Sequence, residues 1–232
     1  MDLERRGFLG KTLAAGAGLW ALTRSARARA AALPSDPAAG ETVSGPEEIA
    51  LPGFEKDGSF TLERALLERR SDRKFDGSKS LSRDQLSRLL WAANGMNRPD
   101  GYRTTPSAVA RYPVDIYVTL AEGAYKYDVK SHRLVRVLDQ DIRAEVPRQP
   151  GLKRAAMNVL YVVRTGLLDR GSTPAWADLE IGCMVQNLYM MAAGLGLGSC
   201  VFAIVRYDEV SKLMGFKRNE TLRIAQAVGP VE

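Results

Sequence analysis

The sequence predicts an α+β domain in which helices flank a mostly antiparallel sheet. Segments with strand-like alternation and segments with helical periodicity follow one another without the regular β-α-β alternation of a parallel sheet. The chain has 232 residues, which is enough for one full-sized domain and short for two. Hydrophobic residues make up 45% and charged residues 26%, a balance typical of a globular protein.

Four segments are predicted as helices. In the second, Ser82 followed by Gln85 has the pattern of a capping box, and Gly95 is a typical residue to end the helix. The third is apolar on nearly every side, so we expect it to be buried either in a large core or between subunits. The helices are predicted over residues 62–70, 82–95, 176–195 and 208–214.

Six segments are predicted as strands. Residues 114–120 show the alternation of a strand, and residues 158–165 form a continuous apolar run. Such a run predicts a strand that is buried on both faces. The other strands are predicted over residues 124–127, 134–138, 199–205 and 222–228.

Residues 1–32 have the pattern of an export signal, with a basic start, a short apolar run and small residues at the end. Adjacent Arg5 and Arg6, followed by Gly-Phe-Leu-Gly-Lys, resemble a twin-arginine (Tat) signal. The resemblance implies a folded protein that the Tat translocase carries to the bacterial periplasm or cell envelope. The apolar run of about eleven residues is roughly half of what spans a bilayer, so no permanent membrane anchor is expected. A cytoplasmic protein with a chance amphipathic start is the alternative.

Residues 33–58 are predicted as a linker or arm. They are rich in Pro, Gly, Ala, Glu and Ser and show no apolar period. From Phe60 the chain becomes regular, so a single domain is expected over residues 59–232.

The net charge of +6 is concentrated in the leader. Residues 1–32 hold six basic and two acidic side chains, which leaves 27 basic against 25 acidic groups in the rest of the chain. A chain that is nearly neutral after its leader lacks the basic surface that binds nucleic acid, and no nucleic-acid partner is expected.

Soft metal ligands are scarce in this sequence. The single histidine is His132 and the two cysteines are Cys183 and Cys200, too few for a zinc site, an iron–sulfur cluster or a bis-histidine haem. Any redox chemistry must therefore come from an organic cofactor, and no metal is expected. The two cysteines could pair in an oxidising compartment, but their apolar segments favour small core residues. His132 is expected to be exposed in a turn.

Three arginines and a serine lie within five residues at the end of the first predicted helix: Arg69, Arg70, Ser71 and Arg73. Guanidinium groups bind phosphate oxygens two at a time, and a serine hydroxyl adds a further donor. The pattern therefore indicates an anion site. A solvated basic helix end, favoured by the helix dipole, is the alternative.

A second irregular stretch, residues 104–113, comes directly before the first long strand. Its small residues leave backbone N–H and C=O groups free to approach a flat polar ring closely. An ordinary loop that leads into a strand is the alternative.

Taken in order, these motifs resemble the nitroreductase-like flavoprotein family, in particular its SagB-type dehydrogenase branch. The resemblance extends over residues 60–232 and rests on segments 68–75, 90–95, 103–108, 112–113, 125–128, 186–187, 194–199 and 228–230. It implies a nitroreductase-like fold, a bound FMN and an intertwined homodimer with active sites at the subunit interface. The long apolar helix would then pack against the partner's copy.

The resemblance assigns the arginine motif to the cofactor. Arg69 and Ser71 would hold the FMN phosphate and ribityl chain, with Arg70 beside them. Arg73 would lie near N1 and O2 of the flavin, where a cation stabilises the negative charge that collects on reduction.

Two other segments would contact the flavin ring. Pro106, Ser107 and Ala108 would touch its face from the other subunit. Ala203 and Ile204 would lie near O4 and N5, where backbone amides rather than side chains make the contacts.

The implied function is that of an FMN-dependent oxidoreductase that transfers hydride through flavin N5, to or from a small organic substrate, by a ping-pong mechanism. Because the cofactor performs the chemical step, no catalytic side chain is assigned. NAD(P)H is scarce outside the cytoplasm, so we expect a different electron donor. The alternative is a non-catalytic or degenerate flavin-binding envelope protein that acts through a partner. Two departures from the family pattern support it: Ala203-Ile204 in place of Glu-Gly, and Val231-Glu232 in place of a basic residue.

Overall fold

The computed structural model describes residues 47–55 and 60–232, and the strands of this part form one seven-stranded sheet. They are β1 (Glu48–Ala50), β2 (Val114–Leu120), β3 (Gly123–Asp128), β4 (Arg133–Leu138), β5 (Met157–Arg164), β6 (Gly198–Phe202) and β7 (Glu220–Gly229). Their order across the sheet is β1-β4-β3-β2-β5-β7-β6, and neighbouring strands pair antiparallel throughout. The predicted α+β class with its antiparallel sheet is confirmed.

Four α-helices accompany the sheet in the described part of the chain: α1 (Leu62–Glu68), α2 (Arg83–Asn94), α3 (Pro174–Gly194) and α4 (Tyr207–Leu213). The predicted capping box is present at the start of α2. The Gln85 N–H donates to Ser82 Oγ at 3.1 Å, and the Ser82 N–H donates to Gln85 Oε1 at 2.9 Å. Gly95 is the C-cap, and its N–H donates to the Trp91 carbonyl. Each end of α2 is therefore set by the residues that the sequence pattern indicates.

Ser82→Ala is expected to lower the free energy of unfolding by about 1 kcal/mol, because it removes the side-chain acceptor of the capping box. Urea unfolding followed by far-UV circular dichroism measures the change. Ser80→Ala is the matched control, since Ser80 is exposed and lies two residues before the helix cap. Equal unfolding midpoints for the two variants would contradict the assignment.

β5 lies at the centre of the core and is buried on both faces. Its Val159 and Tyr161 belong to a cluster shared with α2 and α3, whereas Leu160 and Val162 belong to a second cluster that includes α4. This alternation between two clusters explains why the sequence of β5 is continuously apolar. The predicted doubly buried strand is confirmed.

β1 lies within the predicted arm, residues 33–58. Its Ile49 is buried and pairs with Leu134 of β4. Regular structure therefore begins before Phe60. The sequence pattern does not reveal β1, because a three-residue strand is too short to show a period and depends on its partner strand. Residues 1–46, with the predicted export signal, and residues 56–59 lie outside the described residues. No helix in the described ranges is both long and apolar enough to cross a bilayer.

The histidine and the cysteines differ from one another in their surroundings. His132 is half-buried rather than exposed, because its Nε2 lies 2.8 Å from Ser87 Oγ and its Nδ1 lies 2.8 Å from the Tyr127 hydroxyl. Both cysteines are free thiols. Cys200 is a small core residue, as expected, whereas Cys183 on α3 is only partly buried.

Candidate functional site

The arginine motif follows α1 and crosses the beginning of β6, which is an edge strand of the sheet. Ser71 forms a parallel bridge with Ser199, and the Asp72 N–H donates to the Ser199 carbonyl at 2.9 Å. Gly198 permits this close approach, since a Cβ there would lie 2.9 Å from the Asp72 Cβ and closer still to Val231. The motif is therefore held against the sheet edge as extended chain. It is not a free helix end.

Tyr189 of α3 joins the motif to the edge strand. Its hydroxyl lies 3.0 Å from Ser71 Oγ and accepts the Val201 N–H at 2.7 Å. The guanidinium carbon of Arg69 lies 5.3 Å from the centroid of the Tyr189 ring, within the range of a cation–π contact. Sequence analysis did not identify Tyr189 as a site residue. The only indication in the sequence is a tyrosine in a mainly apolar helix.

The other two arginines of the motif are exposed. Arg70 Nε lies 3.0 Å from Asp72 Oδ1, and the Arg70 side chain is 74% exposed. Burial raises the pKa of the Cys200 thiol, and the positive charge of nearby Arg73 acts in the opposite direction. Arg69, Arg70, Ser71 and Arg73 thus line one edge of the sheet with a single carboxylate among them.

This donor set fits the phosphate of FMN. Guanidinium and hydroxyl donors are the groups that bind phosphate oxygens, and the side chains of Arg70 and Arg73 are accessible. A hollow of about 480 Å³ lies beside the motif, between α1 and the C-terminal end of α3. Among its lining residues are Leu67, Arg70, Asp72, Gly196 and Val231.

Ala203 and Ile204 follow β6 directly, so they lie at the far end of the strand on which the motif rests. The Ala203 carbonyl accepts from the Tyr207 hydroxyl at 3.0 Å, and the Ile204 carbonyl accepts from the Arg148 N–H at 3.1 Å. Both side chains are exposed. At 3.3 Å per residue, Ala203 lies about 13 Å along the strand from Ser199. The motif and the Ala203-Ile204 pair therefore share one edge of the sheet.

The segment of Pro106, Ser107 and Ala108 belongs to the loop before β2 and lies beside a different part of α3 from the arginine motif. Ser107 Oγ accepts the Tyr112 N–H at 2.8 Å and also faces Glu180 of α3. Glu180 and Tyr189 are separated by about 13.5 Å along the helix axis at 1.5 Å per residue. Within one chain, this segment and the arginine motif therefore lie near different parts of α3.

Glu180 is a buried carboxyl group that sequence analysis did not single out. It is 2% exposed, and burial raises its pKa to about 7, although Ser107, Arg103 and Arg164 act to lower it. Burial likewise lowers the pKa of Arg103, whose guanidinium carbon lies 4.1 Å from the centroid of the Tyr112 ring. Nothing in the sequence distinguishes Glu180 from an exposed helix glutamate, because its burial depends on the loop above it.

One side of α3 is exposed in the single chain. Trp176 and Leu179 are 51% and 57% exposed, and Gln186 is exposed on the same helix. The prediction that the whole of α3 is buried in the core of one chain is therefore wrong. Burial of α3 between two subunits stays a prediction. Asn187, by contrast, points into the molecule and donates to Thr105 Oγ1 at 3.2 Å.

Metal ligands do not gather in the described ranges. No group of three or more His, Cys, Asp or Glu side chains lies close enough to hold a metal ion among residues 47–55 and 60–232. Two of the polar clusters in these ranges are the arginine motif with Tyr189 and the group of residues around Glu180.

The described residues form an α+β domain with a seven-stranded antiparallel sheet, and a cluster of arginine and hydroxyl groups lies at the edge of that sheet. Comparison with known proteins extends this description. Residues 66–230 match the nitroreductase family, and the chain belongs to that family.

Individual relatives and solved structures are consistent with membership of the nitroreductase family. A protein of Methanocaldococcus jannaschii with a nitroreductase assignment is 34% identical over 186 residues, which cover 73% of this chain and 90% of the relative. A crystal structure from Ralstonia eutropha JMP134, also assigned as a nitroreductase, is 30% identical with a TM-score of 0.76 and covers 84% of this chain and 93% of its own. A Desulfovibrio desulfuricans structure solved in complex with FMN shares the fold at 18% identity, with a TM-score of 0.55 and coverage of 75% and 87%.

Proposed function

We propose that this protein is an FMN-dependent oxidoreductase of the SagB-type dehydrogenase branch of its family. The observation that carries the proposal is the arginine and serine motif, which is held along β6 by Tyr189 in a chain of the nitroreductase family. Relatives assigned as nitroreductases and a structural neighbour solved with FMN support it. When bound, FMN supplies reversible hydride transfer at its N5 atom.

The residues of this chain would bind and orient the cofactor. Arg69 and Ser71 would hold its phosphate and ribityl chain, and Arg70 would add positive charge beside them. Arg73 would supply positive charge near the flavin ring, which favours the reduced state. Ala203 and Ile204, at the end of the same strand, would line the other end of the site.

A homodimer would complete the site. The exposed apolar side of α3 would pack against the same side of the partner's helix, which removes Trp176 and Leu179 from water. The Pro106, Ser107 and Ala108 segment, which lies apart from the motif in one chain, would reach the ring from the partner.

In sedimentation velocity, we expect the wild-type protein to be a dimer. We expect Leu179→Asp to lose the dimer.

The substrate would be a small organic molecule that exchanges hydride in a ping-pong cycle with an electron donor other than NAD(P)H. We propose in addition that the Tat route exports the protein to the periplasm or cell envelope, and the choice of donor rests on that export. Efficient steady-state turnover with NADH or NADPH would contradict it.

Replacing Arg5 and Arg6 together by lysine is expected to keep the protein in the cytoplasm, because the twin-arginine pair is what the exporter recognises. Fractionation of bacterial cells followed by immunoblotting measures the distribution. The matched control is Arg27→Lys with Arg29→Lys, at the other end of the leader. Export of the double variant at the normal level would contradict a Tat signal.

The proposed function is tested by the absorption spectrum of mature protein purified from cells that also make the exporter. Flavin bands that dithionite bleaches, with FMN released on denaturation, are expected. A colourless protein that also fails to take up added FMN would overturn the proposal. A yellow protein whose reduced flavin passes no electrons to any organic acceptor would instead be a non-catalytic flavin-binding protein.

A further inference from the structure

Residues 47–55, which we call the strap, lie at the edge of the sheet opposite to the arginine motif. The strap contains β1, which pairs with β4 at one edge of the sheet, whereas the motif lies against β6 at the other. Only three residues of the strap pair in register with β4. Pairing over so few residues stabilises a strand little, and side-chain contacts must therefore help to hold the strap in place.

Phe54 of the strap packs on α2. Its ring lies 5.4 Å from the Trp91 ring in an edge-to-face arrangement, and the guanidinium carbon of Arg88 lies 4.8 Å from the centroid of the Phe54 ring. All three side chains are only half-buried. Contacts of this kind contribute little each at exposed sites, so the strap is weakly held on this side.

A chain of hydrogen bonds connects the strap to the interior of the domain. Ser87 Oγ, on α2, donates to the Pro52 carbonyl of the strap at 2.6 Å and lies 2.8 Å from His132 Nε2. His132 Nδ1 lies 2.8 Å from the Tyr127 hydroxyl of β3, and the His132 carbonyl accepts the Leu51 N–H at 3.3 Å. Ser87 is fully buried, so this serine–histidine pair holds structure together and does not meet a substrate.

The proton positions along this chain follow from Ser87. Its one proton is donated to the Pro52 carbonyl, so its oxygen can only accept from His132, and Nε2 must carry a hydrogen. In a neutral imidazole Nδ1 is then an acceptor, and the Tyr127 hydroxyl donates to it. Each donor of the chain therefore meets an acceptor while His132 is neutral.

Protonation of His132 breaks this order. It places a hydrogen on Nδ1, so the Tyr127 oxygen must accept instead of donating, and no other acceptor for its O–H is present among residues 47–55 and 60–232. Tyr127 is 3% exposed, and a buried donor without a partner costs as much as a lost hydrogen bond. A protonated ring is thus better satisfied in water than between Ser87 and Tyr127.

Charged groups on the surrounding elements do not compensate this loss. Lys130 lines a hollow of about 240 Å³ together with His132 and Phe54. Burial raises the pKa of the Tyr127 hydroxyl, while Arg103 acts to lower it and Asp128 to raise it. Two cations therefore stand near the ring and its partner. The carboxylates of the elements around them are paired with arginines: Asp128 and Glu48 with Arg133, and Asp84 with Arg88. The Glu55 residue of the strap is exposed.

The backbone of His132 is also held by these contacts. Its φ is 47°, in the left-handed region that a residue with a Cβ rarely adopts unless its surroundings enforce it. When the ring leaves, the backbone is free to relax, and the bond from the Leu51 N–H to the His132 carbonyl is lost with it.

We propose that neutral His132 fastens the strap, residues 47–55, to α2 and that protonation of His132 releases it. This inference goes beyond the proposed function and does not depend on it. Release uncovers Arg88 and Trp91, which also line a hollow of about 630 Å³ between α1, α2 and α3. An exposed histidine titrates at about pH 6.5. Because the fastened strap favours the neutral ring, the strap is fully held above that pH and loosens as the pH falls.

The titration of His132 tests the first step. His132 is the single histidine of the chain, so NMR of its ring in untagged full-length protein needs no further assignment. The midpoint is expected at least about one pH unit below that of an exposed histidine. Tyr127→Phe removes the donor to Nδ1 and should move the midpoint back towards the ordinary value, whereas Tyr102→Phe, at an exposed position, should leave it unchanged. A wild-type midpoint at or above the ordinary value, or no effect of Tyr127→Phe, would overturn the proposal.

Release of the strap is measured by amide hydrogen exchange over residues 47–55, corrected for the intrinsic pH dependence. In the wild type, exchange is expected to be about tenfold faster at about pH 5 than at about pH 7.5, because one pH unit of displacement corresponds to a factor of ten. Residues 157–164 of β5 are the internal control and should show no such change. His132→Asn takes up no proton and tolerates the left-handed backbone, so it should show no pH dependence whatever its level of protection. Equal strap protection at both pH values in the wild type would contradict release, and pH dependence that persists in His132→Asn would assign it to another group.

Discussion

Arg69→Ala is expected to weaken FMN binding by about ten- to a hundredfold, since a hydrogen bond to a charged group contributes about 1.5–3 kcal/mol. Arg69 is the first residue beyond α1, and its guanidinium group lies over the Tyr189 ring, next to Ser71. Under the proposed function, the guanidinium group at this position binds the phosphate of FMN and not its flavin ring. The loss should therefore fall on FMN and spare riboflavin, which has no phosphate.

Titration of flavin fluorescence with both ligands measures this effect. Arg64→Ala is the matched control, because Arg64 is exposed on α1 and pairs with Glu68 at 2.7 Å, away from the motif. Arg69→Lys keeps the positive charge without the guanidinium fork, so its affinity for FMN should lie between those of Arg69→Ala and Arg64→Ala. Equal weakening of FMN and riboflavin by Arg69→Ala would mean that Arg69 supports the fold and does not bind phosphate.

Tyr189→Phe is expected to weaken FMN binding by about tenfold and to lower the free energy of unfolding by about 1–3 kcal/mol. The hydroxyl accepts the Val201 N–H at 2.7 Å and lies 3.0 Å from Ser71 Oγ, and phenylalanine can do neither. The Val201 N–H then loses its partner at a half-buried position, and Ser71 loses the contact that orients it. Tyr189→Phe therefore affects both stability and FMN affinity, because the same hydroxyl oxygen contacts the Val201 N–H and Ser71 Oγ.

Thermal unfolding and FMN titration of the same preparations separate the two effects. Tyr102→Phe is the control, since Tyr102 is exposed and lies beside Arg98. At the same saturating concentration, FMN should stabilise the wild type more than Tyr189→Phe, because stabilisation by a ligand increases with the logarithm of its concentration divided by its dissociation constant. An unchanged affinity with reduced stability would assign Tyr189 to the fold alone.

Most elements of this fold are visible in the sequence because they depend on local rules. The capping box joins Ser82 and Gln85, which are three positions apart, and the burial of β5 on both faces is indicated by its own continuous run of apolar residues. The arginine motif is likewise visible in the sequence, since its four donors lie within five residues. What sequence analysis could not decide about the motif is whether it is a free helix end or part of the sheet edge.

The unpredicted residues are those whose roles depend on distant partners. Tyr189 meets Ser71 from 118 positions away, and β1 acquires its structure from β4. Glu180 is unremarkable in an apolar helix until the Ser107 loop covers it. The local elements and the chemistry of the donor groups can thus be predicted from the amino-acid sequence. Which donors share a sheet edge, and which carboxyl group is buried, can be learned only from the folded chain, because burial and pairing depend on how the strands are ordered in space.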